Sequence, residues 1–450
     1  MAGERCTATL DELLDDILDR RGVTPLKLGS NFVEGGHRVI SAKLVKNGRI
    51  DFTADDPRFV DAATYNRWMR TPLLAGDVIL TSEAPLGEVV YINEELDWCL
   101  GQRLFALRPK KDRLNGRYLY YALRTDEAQH ELHSRATGTT AQGIRQSELR
   151  KARLSLPPLP EQRAIAHILG TLDDKIELNR RMNEALEAMA QAIFKSWFVD
   201  FDPVRAKMAG RQPYGMDAAT AALFPDCFEE SPSGRIPKGW KVERLADHFD
   251  AVKGVSYKGS GLSDTGMPLH NLNSIYEGGG YKYEGIKRYN GEYADRHVVR
   301  PGDVIVANTE QGHDRLLIGY AAIVPRLFGE RGIASHHIYR LRPRRNSNLT
   351  ALFLCHLLNS PRMHDIVSGY ANGTTVNMLP LDGVQRPQIV APPGALITAF
   401  DGLAIQIEAR REEMVAESRT LASIRDALLP KLLSGQVQVK DAEKLLESTV

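Results

Sequence analysis

Two distant stretches of this chain carry the same long apolar repeat. Counting from Ile165 at alternating steps of three and four gives Ile165, Ile168, Leu172, Lys175, Asn179, Met182, Leu186, Met189 and Ile193. Adding 235 to each gives Phe400, Leu403, Ile407, Arg410, Met414, Glu417, Leu421, Ile424 and Leu428. Seven of the nine positions are apolar in each set, which is the heptad signature of a helix packed on another helix. The polar exceptions cluster mid-helix, where such residues fix register or partner at some cost in stability.

The first repeat is launched by LSLPPLPEQRAIAHIL (154–169). Proline lacks an amide donor and restricts its neighbour, so the chain stays extended until the helix begins. Glu161 suits the positive end of the helix dipole. From Glu161 to Phe198 the helix would run ~57 Å at ~1.5 Å per residue. One small domain cannot cover that length, so a second long helix is expected beside it. IVAPPGALITAF (389–400) launches the other repeat from the same double proline, with Gly394–Ala395 in place of PEQ. Ile176, Phe194, Trp197 and Phe198 lie off the first seam, and Ile405, Val415, Leu429, Leu432 and Leu433 off the second. A face that broad asks for further packing partners.

The repeat extends beyond the helices. At the same offset of 235, ATGTT (136–140) meets ANGTT (371–375), and Pro157–Pro158 meet Pro392–Pro393. LFALRPKKD (104–112) matches HIYRLRPRRN (337–346), and AGDVIL (75–80) matches PGDVIV (301–306) with the offset reduced to 226. Five matches in one order indicate a duplication. Each half predicts a strand after GDV (Val78–Leu80, Val304–Val306). A loop follows, then a second strand, then a third strand ending at LRP. Next come a helix (Tyr118–Leu123, Ala351–Leu358), the GTT loop and the long helix. The expected fold is α+β: two similar α/β domains separated by two long helices that pair as an antiparallel coiled coil. The expected boundaries are a first domain at 1–159 and a helix at 160–204. A second domain follows at 205–394, with 205–234 as linker, then a helix at 395–437 and a tail at 438–450.

Composition changes this picture little. Net charge is +1 and 43% of residues are hydrophobic, ordinary for a protein with cores to fill. No apolar run approaches ~18 residues, and the N-terminus lacks a basic, apolar leader. Four isolated cysteines argue for reduced thiols and a cytoplasmic location. Residues 135–165 hold six basic side chains against two acids, a local basic face of the kind nucleic-acid binding needs.

Catalytic motifs are scarce. FDPV (201–204) lacks the second proline and aromatic of an adenine-methylating motif and reads as a helix-exit turn. GVSYKGS (254–260) lacks the lysine of a phosphate loop. His336–His337 and His130/His133 have no acid or cysteine at ligand spacing. Such a chain selects a substrate for catalysts carried elsewhere. Two other readings remain open: a free-standing nuclease with an unfamiliar site, and a coiled-coil scaffold without a nucleic-acid role.

PPLPEQRAIAHILGTLDDKIELNRRMNEAL, the FKSWFVDFDPV after it, the TGTT before it and IPKGWKVERLADHF (236–249) resemble the specificity subunits of type I restriction–modification enzymes. The likeness spans nearly the whole chain. It implies two target-recognition domains, each reading one half of a bipartite sequence in double-stranded DNA. It also implies two methyltransferase subunits docked on the helices, with motor–nuclease subunits joining for cleavage. No cofactor is expected in this chain; S-adenosylmethionine, ATP and Mg would belong to the partner subunits. No membrane partner is implied. The first domain departs from the family opening, carrying an acidic segment at Asp11–Arg20 that reads as helix.

Base edges are read by Arg, Lys, Asn, Gln, Ser and Thr side chains. Loops rich in these are the reading candidates. The first is RATGTTAQGIR, with Arg135, Thr139, Thr140, Gln142 and Arg145, matched by Thr374, Thr375 and Asn377. The second holds Ser41 and Lys43, matched by Asn271 and Asn273. The third follows the GDV strand: Thr81 and Ser82 in one half, Asn308, Thr309, Gln311 and His313 in the other. Arg340–Arg345 reads either as a phosphate-facing strand end or as a solvated charge run.

Overall fold

The structure, a computed structural model, describes residues 5–52, 56–138, 142–312, 314–373 and 376–447. It divides into two compact units, Met1–Glu177 with Ser418–Val450, and Leu178–Glu417. Each unit is built around a four-stranded sheet of the same order. In the first, Leu14–Asp19 lies beside Leu104–Pro109, then Val78–Thr81, then Val89–Tyr91. In the second, Phe249–Lys253 lies beside Ile338–Pro343, then Val304–Ala307, then Ala321–Ile323. Every pairing in both sheets is antiparallel.

The central GDV strands are apolar on both faces because both faces are covered. Val78 and Leu80 face a core shared with the Gly116–Ala122 helix and with Ile165, Leu169, Leu428 and Leu432 of the long helices. Ile79 faces a second core with Ile40, Trp68 and Leu100. The alternation is that of a pleated strand. Val304, Val306 and Ile305 divide in the same way in the second unit.

The duplicated motifs have a shared physical cause. The GDV aspartate pairs with the LRP arginine in both units: Asp77 with Arg108 at 2.7 Å and Asp303 with Arg342 at 2.6 Å. Hydrogen bonding to the carboxylate holds each guanidinium pKa above its ordinary value. Each aspartate also accepts a backbone N–H three residues upstream, from Leu74 and from Arg300. Arg340 is buried, donating to the Val298 carbonyl, and Arg344 pairs with Asp250. These arginines of the 340–345 run are held by the fold.

The acidic N-terminal segment is not the helix its spacing suggests. Cys6–Thr9 is a strand, Leu10–Leu13 a single capped turn and Leu14–Asp19 a strand. A register shift opposite Arg108–Pro109 places Leu14 across from Pro109 and Asp16 across from Arg108, leaving Asp15 as an extra residue. That bulge breaks strict alternation, so the buried Leu10, Leu13, Leu14, Ile17 and Leu18 fall at helical spacing. The ribbon Cys6–Thr9 with Arg153–Leu156 has its equivalent in Lys241–Arg244 with Gln388–Ala391, 235 residues on. The first domain therefore opens like the second. FDPV, read as an exit turn, starts a short helix, Asp202–Met208, after Phe201 at φ 57°.

The long helices run Leu159–Phe198 and Gly394–Ser434. Within the second unit Asn179 donates to Glu417, Glu187 pairs with Arg411, and Phe194 packs on Phe400. Rising numbers meet falling ones, so the pair is antiparallel. Within the first unit Asp173 pairs with Arg425 at 2.6 Å and accepts the Tyr121 hydroxyl at 2.6 Å.

The buried seam differs from the expected one in its second line. Ile165, Leu172, Phe400, Ile407, Met414, Leu421 and Leu428 are buried, with Leu186 and Ile193 half-buried. The line partnering them lies four residues on, not three: Leu169, Ile176, Asn183, Ala190 and Trp197, then Ala404, Arg411, Ser418, Arg425 and Leu432. Ile168 is buried as well and Ile424 is half-buried, but Met182 and Met189 are exposed, Met189 at 47%, and Leu403 is 43% exposed. Phe194, Trp197 and Phe198, off the expected line, are core residues of the second unit.

Candidate nucleic-acid interface

The three polar stretches of each half converge on one edge of their unit. In the first unit His37–Ile40 runs parallel to Cys99–Leu100, and the Gly101 N–H donates to the Ile40 carbonyl at 2.9 Å. A Cβ on Gly101 would lie 2.1 Å from that oxygen, so only glycine permits this approach. Two residues later the Arg103 carbonyl accepts the Ser82 N–H at 2.8 Å. The Ser82 carbonyl accepts from Ile144, and Glu83 bridges to Gly143, at the closing end of the GTT loop. Ser41, Ser82 and the paired residues Thr137 and Gly143 are thus strung along one edge by the segment 99–103.

The second unit repeats this path. Met267–His270 runs parallel to Gly332–Ala334, and the Ser335 N–H donates to the His270 carbonyl at 2.9 Å. The Asn308 N–H donates to the His337 carbonyl at 3.0 Å. Thr309–Gln311 pairs antiparallel with Val376–Met378, the exit of the second GTT loop.

The candidates differ in how they present themselves. Lys43, Gln142, Arg145, Asn273 and Gln311 are exposed. Ser41 is half-buried at the entry to the Ala42–Leu44 turn, where Asn271 stands in the second unit. Asn271 is buried, accepting the Asn273 N–H and donating to the Leu269 carbonyl. Thr81 is buried and accepts the Glu88 N–H at 2.9 Å. Asn308 donates to the His336 carbonyl at 3.2 Å, Thr309 bonds the His337 ring at 2.9 Å, and Asn377 donates to the Gly312 carbonyl. Thr139, Thr140, His313, Thr374 and Thr375 lie outside the described residues.

The edge is built under some strain. Ser82 Oγ, Asn308 Oδ1, Ser335 Oγ and His336 Nδ1 are buried without a hydrogen-bond partner among the described residues. Each such atom costs about 1–3 kcal/mol, so each calls for an explanation. Burial first, then His336 and Lys253, hold the His337 pKa below the usual imidazole range.

Beside the first edge lies the basic segment. Arg135 pairs with Glu131, Arg150 with Asp11 and Lys151 with Glu148. Arg145 and Arg153 make no ion pair among the described residues and point their charge at solvent. An open cleft of about 770 Å³ on the Cys6–Thr9 ribbon is lined by Asp11, Glu127, Glu131, Arg135, Arg150, Lys151 and Arg153. Its mixed charge and openness do not suit an enclosed small-molecule site. Among the described residues no group of three or more His, Cys, Asp or Glu side chains could hold a metal ion. No described helix is long and apolar enough to cross a membrane.

The residues missed from sequence are Glu83 and the segment Gly101–Arg103, with Ser335 beside the noted histidines in the second unit. Their signal is positional: Glu83 lies just past the GDV strand, and Gly101–Arg103 and Ser335 lead into the strand that ends in LRP.

The family model for the type I restriction modification DNA specificity domain matches residues 33–188. The type I restriction enzyme MjaIX specificity subunit of Methanocaldococcus jannaschii is 25% identical over 371 residues, covering 81% of this chain and 78% of that one. The HindI specificity subunit of Haemophilus influenzae is 23% identical over 414 residues, covering 80% and 86%. This chain is similar to the type I specificity subunits. The crystal structure of an S subunit from M. genitalium shares its fold, with a TM-score of 0.56 at 16% identity over 96% of both chains. The region matched by the family model contains the whole first edge, from His37 to Arg145. The second unit repeats that domain's sheet order and edge.

Proposed function

We propose that this chain reads a bipartite target in double-stranded DNA, one half-site per unit, for a type I restriction–modification complex. The observation that carries this is the convergence of equivalent polar stretches on the same edge in both units. Duplicated readers with different side chains at matched positions suit a target of two unlike halves. The domain limits are those of the repeat: readers at 1–159 and 205–394, joined by the helices.

The paired helices dock two methyltransferase subunits, which carry S-adenosylmethionine. Motor–nuclease subunits using ATP and Mg complete the cleaving form. The exposed apolar stripe Leu178, Met182, Ala185 and Met189 supplies surface for such a contact. The chain itself performs recognition, and its location is cytoplasmic.

The test is binding by the purified chain with its methyltransferase partner. Affinity for the target should exceed that for random duplex by about 10³-fold or more and fall steeply with salt. Equal affinity for every sequence would overturn the proposal.

A further inference from the structure

The edge contains one side-chain arrangement built twice with different chemistry. In each unit the residue after the GDV strand bonds its backbone N–H to the carbonyl of the residue entering the LRP strand. The next residue along then reaches that same residue's side chain. In the first unit Glu83 Oε1 lies 2.7 Å from Arg103 Nε. In the second, Thr309 Oγ1 lies 2.9 Å from His337 Nδ1.

Arg103 is held in an unusual way. Its φ is 65°, in the left-handed region that costs a non-glycine residue roughly 1 kcal/mol or more. Its backbone carbonyl is fixed by Ser82 and its side chain by Glu83. Glu83 is itself backed by Gly143, where a Cβ would sit 3.1 Å from Glu83 Cβ and 3.2 Å from Oε2. The nearest contact of the ion pair is at Nε, and neither terminal nitrogen makes a hydrogen bond among the described residues. The side chain is 55% exposed.

We propose that Arg103, positioned by Glu83, reads a guanine in the half-site of the first unit. The inference rests on the DNA-reading role proposed above. A guanidinium held at Nε presents a flat pair of donors, the geometry that matches guanine O6 and N7 in the major groove. The carboxylate beside it excludes the other common use of arginine. Glu83 would repel a phosphate brought against Arg103, and the pair adds no net charge to the backbone attraction. Stability does not account for the pair either, since an exposed ion pair contributes about 0–1 kcal/mol. In the second unit Thr309 and His337 fill the same place with no fork to offer, so that half-site is read differently.

The experiment uses the full methyltransferase complex, with methylated motifs read by sequencing for wild type, Arg103→Ala, Arg103→Lys and Glu83→Gln. The wild-type motif should contain a guanine in one half-site. Arg103→Ala should lose discrimination at that position alone, by about 5–150-fold for the ~1–3 kcal/mol of a bidentate contact. The other half-site and the salt dependence on random duplex should stay unchanged. Arg103→Lys keeps the charge but not the fork, so it should relax the same position. Glu83→Gln should weaken that preference while leaving non-specific affinity no lower than in wild type, which a merely structural role would not do. Should Arg103→Ala fail to fold, the lysine variant carries the test. An unchanged motif, a loss uniform across sequences with a salt slope reduced by about 1, or a wild-type motif without guanine would overturn the proposal. A wild-type complex that methylates no split motif would instead sink the DNA-reading role itself.

Discussion

Leu403 and Ala404 are neighbours in sequence with opposite fates, and they test the helix register directly. Ala404 is buried in the cluster that holds Phe194, Phe353 and Phe400. Leu403 is 43% exposed. Ala404→Asp puts a larger, unpaired carboxylate among aromatic rings. Overpacking costs about 1–3 kcal/mol, and an uncompensated buried charge adds several more. A loss of about 4 kcal/mol or more is expected. Leu403→Asp forfeits about half the ~1.5–3 kcal/mol of a leucine's burial and about 0.5 kcal/mol of helix propensity, roughly 1.5 kcal/mol in all. Urea unfolding of the purified chain reads both. At a slope of about 3 kcal/mol per molar, the midpoints should fall by more than about 1 M and by about 0.5 M. Equal losses, or a larger one at Leu403, would refute the buried line through Ala404 and restore the one through Leu403.

Other outcomes follow from the same structure. Asp303→Ala strands the Arg342 guanidinium and should cost about 3–5 kcal/mol in unfolding free energy, whereas the exposed Asp295→Ala should cost under ~0.5 kcal/mol. Arg411→Met leaves the half-buried Glu187 and Glu408 without their counter-charge. Burial already raises the Glu408 pKa, so protonation relieves the defect; the loss measured at pH 7 should shrink as pH falls toward 5. His270 is buried against the Tyr281 hydroxyl, with burial lowering its pKa to about 3. The folded state therefore disfavours the proton that the unfolded chain binds below its ordinary value of 6.5. Stability from this group is present above that value and should fall by about 2 kcal/mol between pH 7 and pH 5. His270→Gln should remove that part of the slope in urea midpoints.

Much of the architecture was readable because the duplication preserves turn and strand-end residues that geometry demands. GDV and LRP persist since Asp77–Arg108 and Asp303–Arg342 pin the sheet at the same point. The heptad was visible, but its second line was not. Ile168 and Leu169 are both apolar, as are Met189 and Ala190, so spacing alone does not choose between three and four. The aromatic cluster on Phe400 chooses. The acidic segment misled because a bulge at Asp15 gives a strand the spacing of a helix. The three polar stretches were visible as composition. Their convergence depends on the parallel pairing of His37–Ile40 with Cys99–Leu100, about sixty residues apart, and no local pattern announces that pairing. Glu83 and Arg103 were missed for that reason: each is an ordinary surface residue until the edge brings them together.

The central claim is that this chain selects the DNA sequence on which a methyltransferase acts. Methylation-sensitive sequencing of the host genome, with the gene intact and deleted, tests it most directly. The account predicts that one adenine-methylated motif, split into two specified halves by an unspecified gap, disappears on deletion and returns on complementation. An unchanged set of methylated motifs would contradict it.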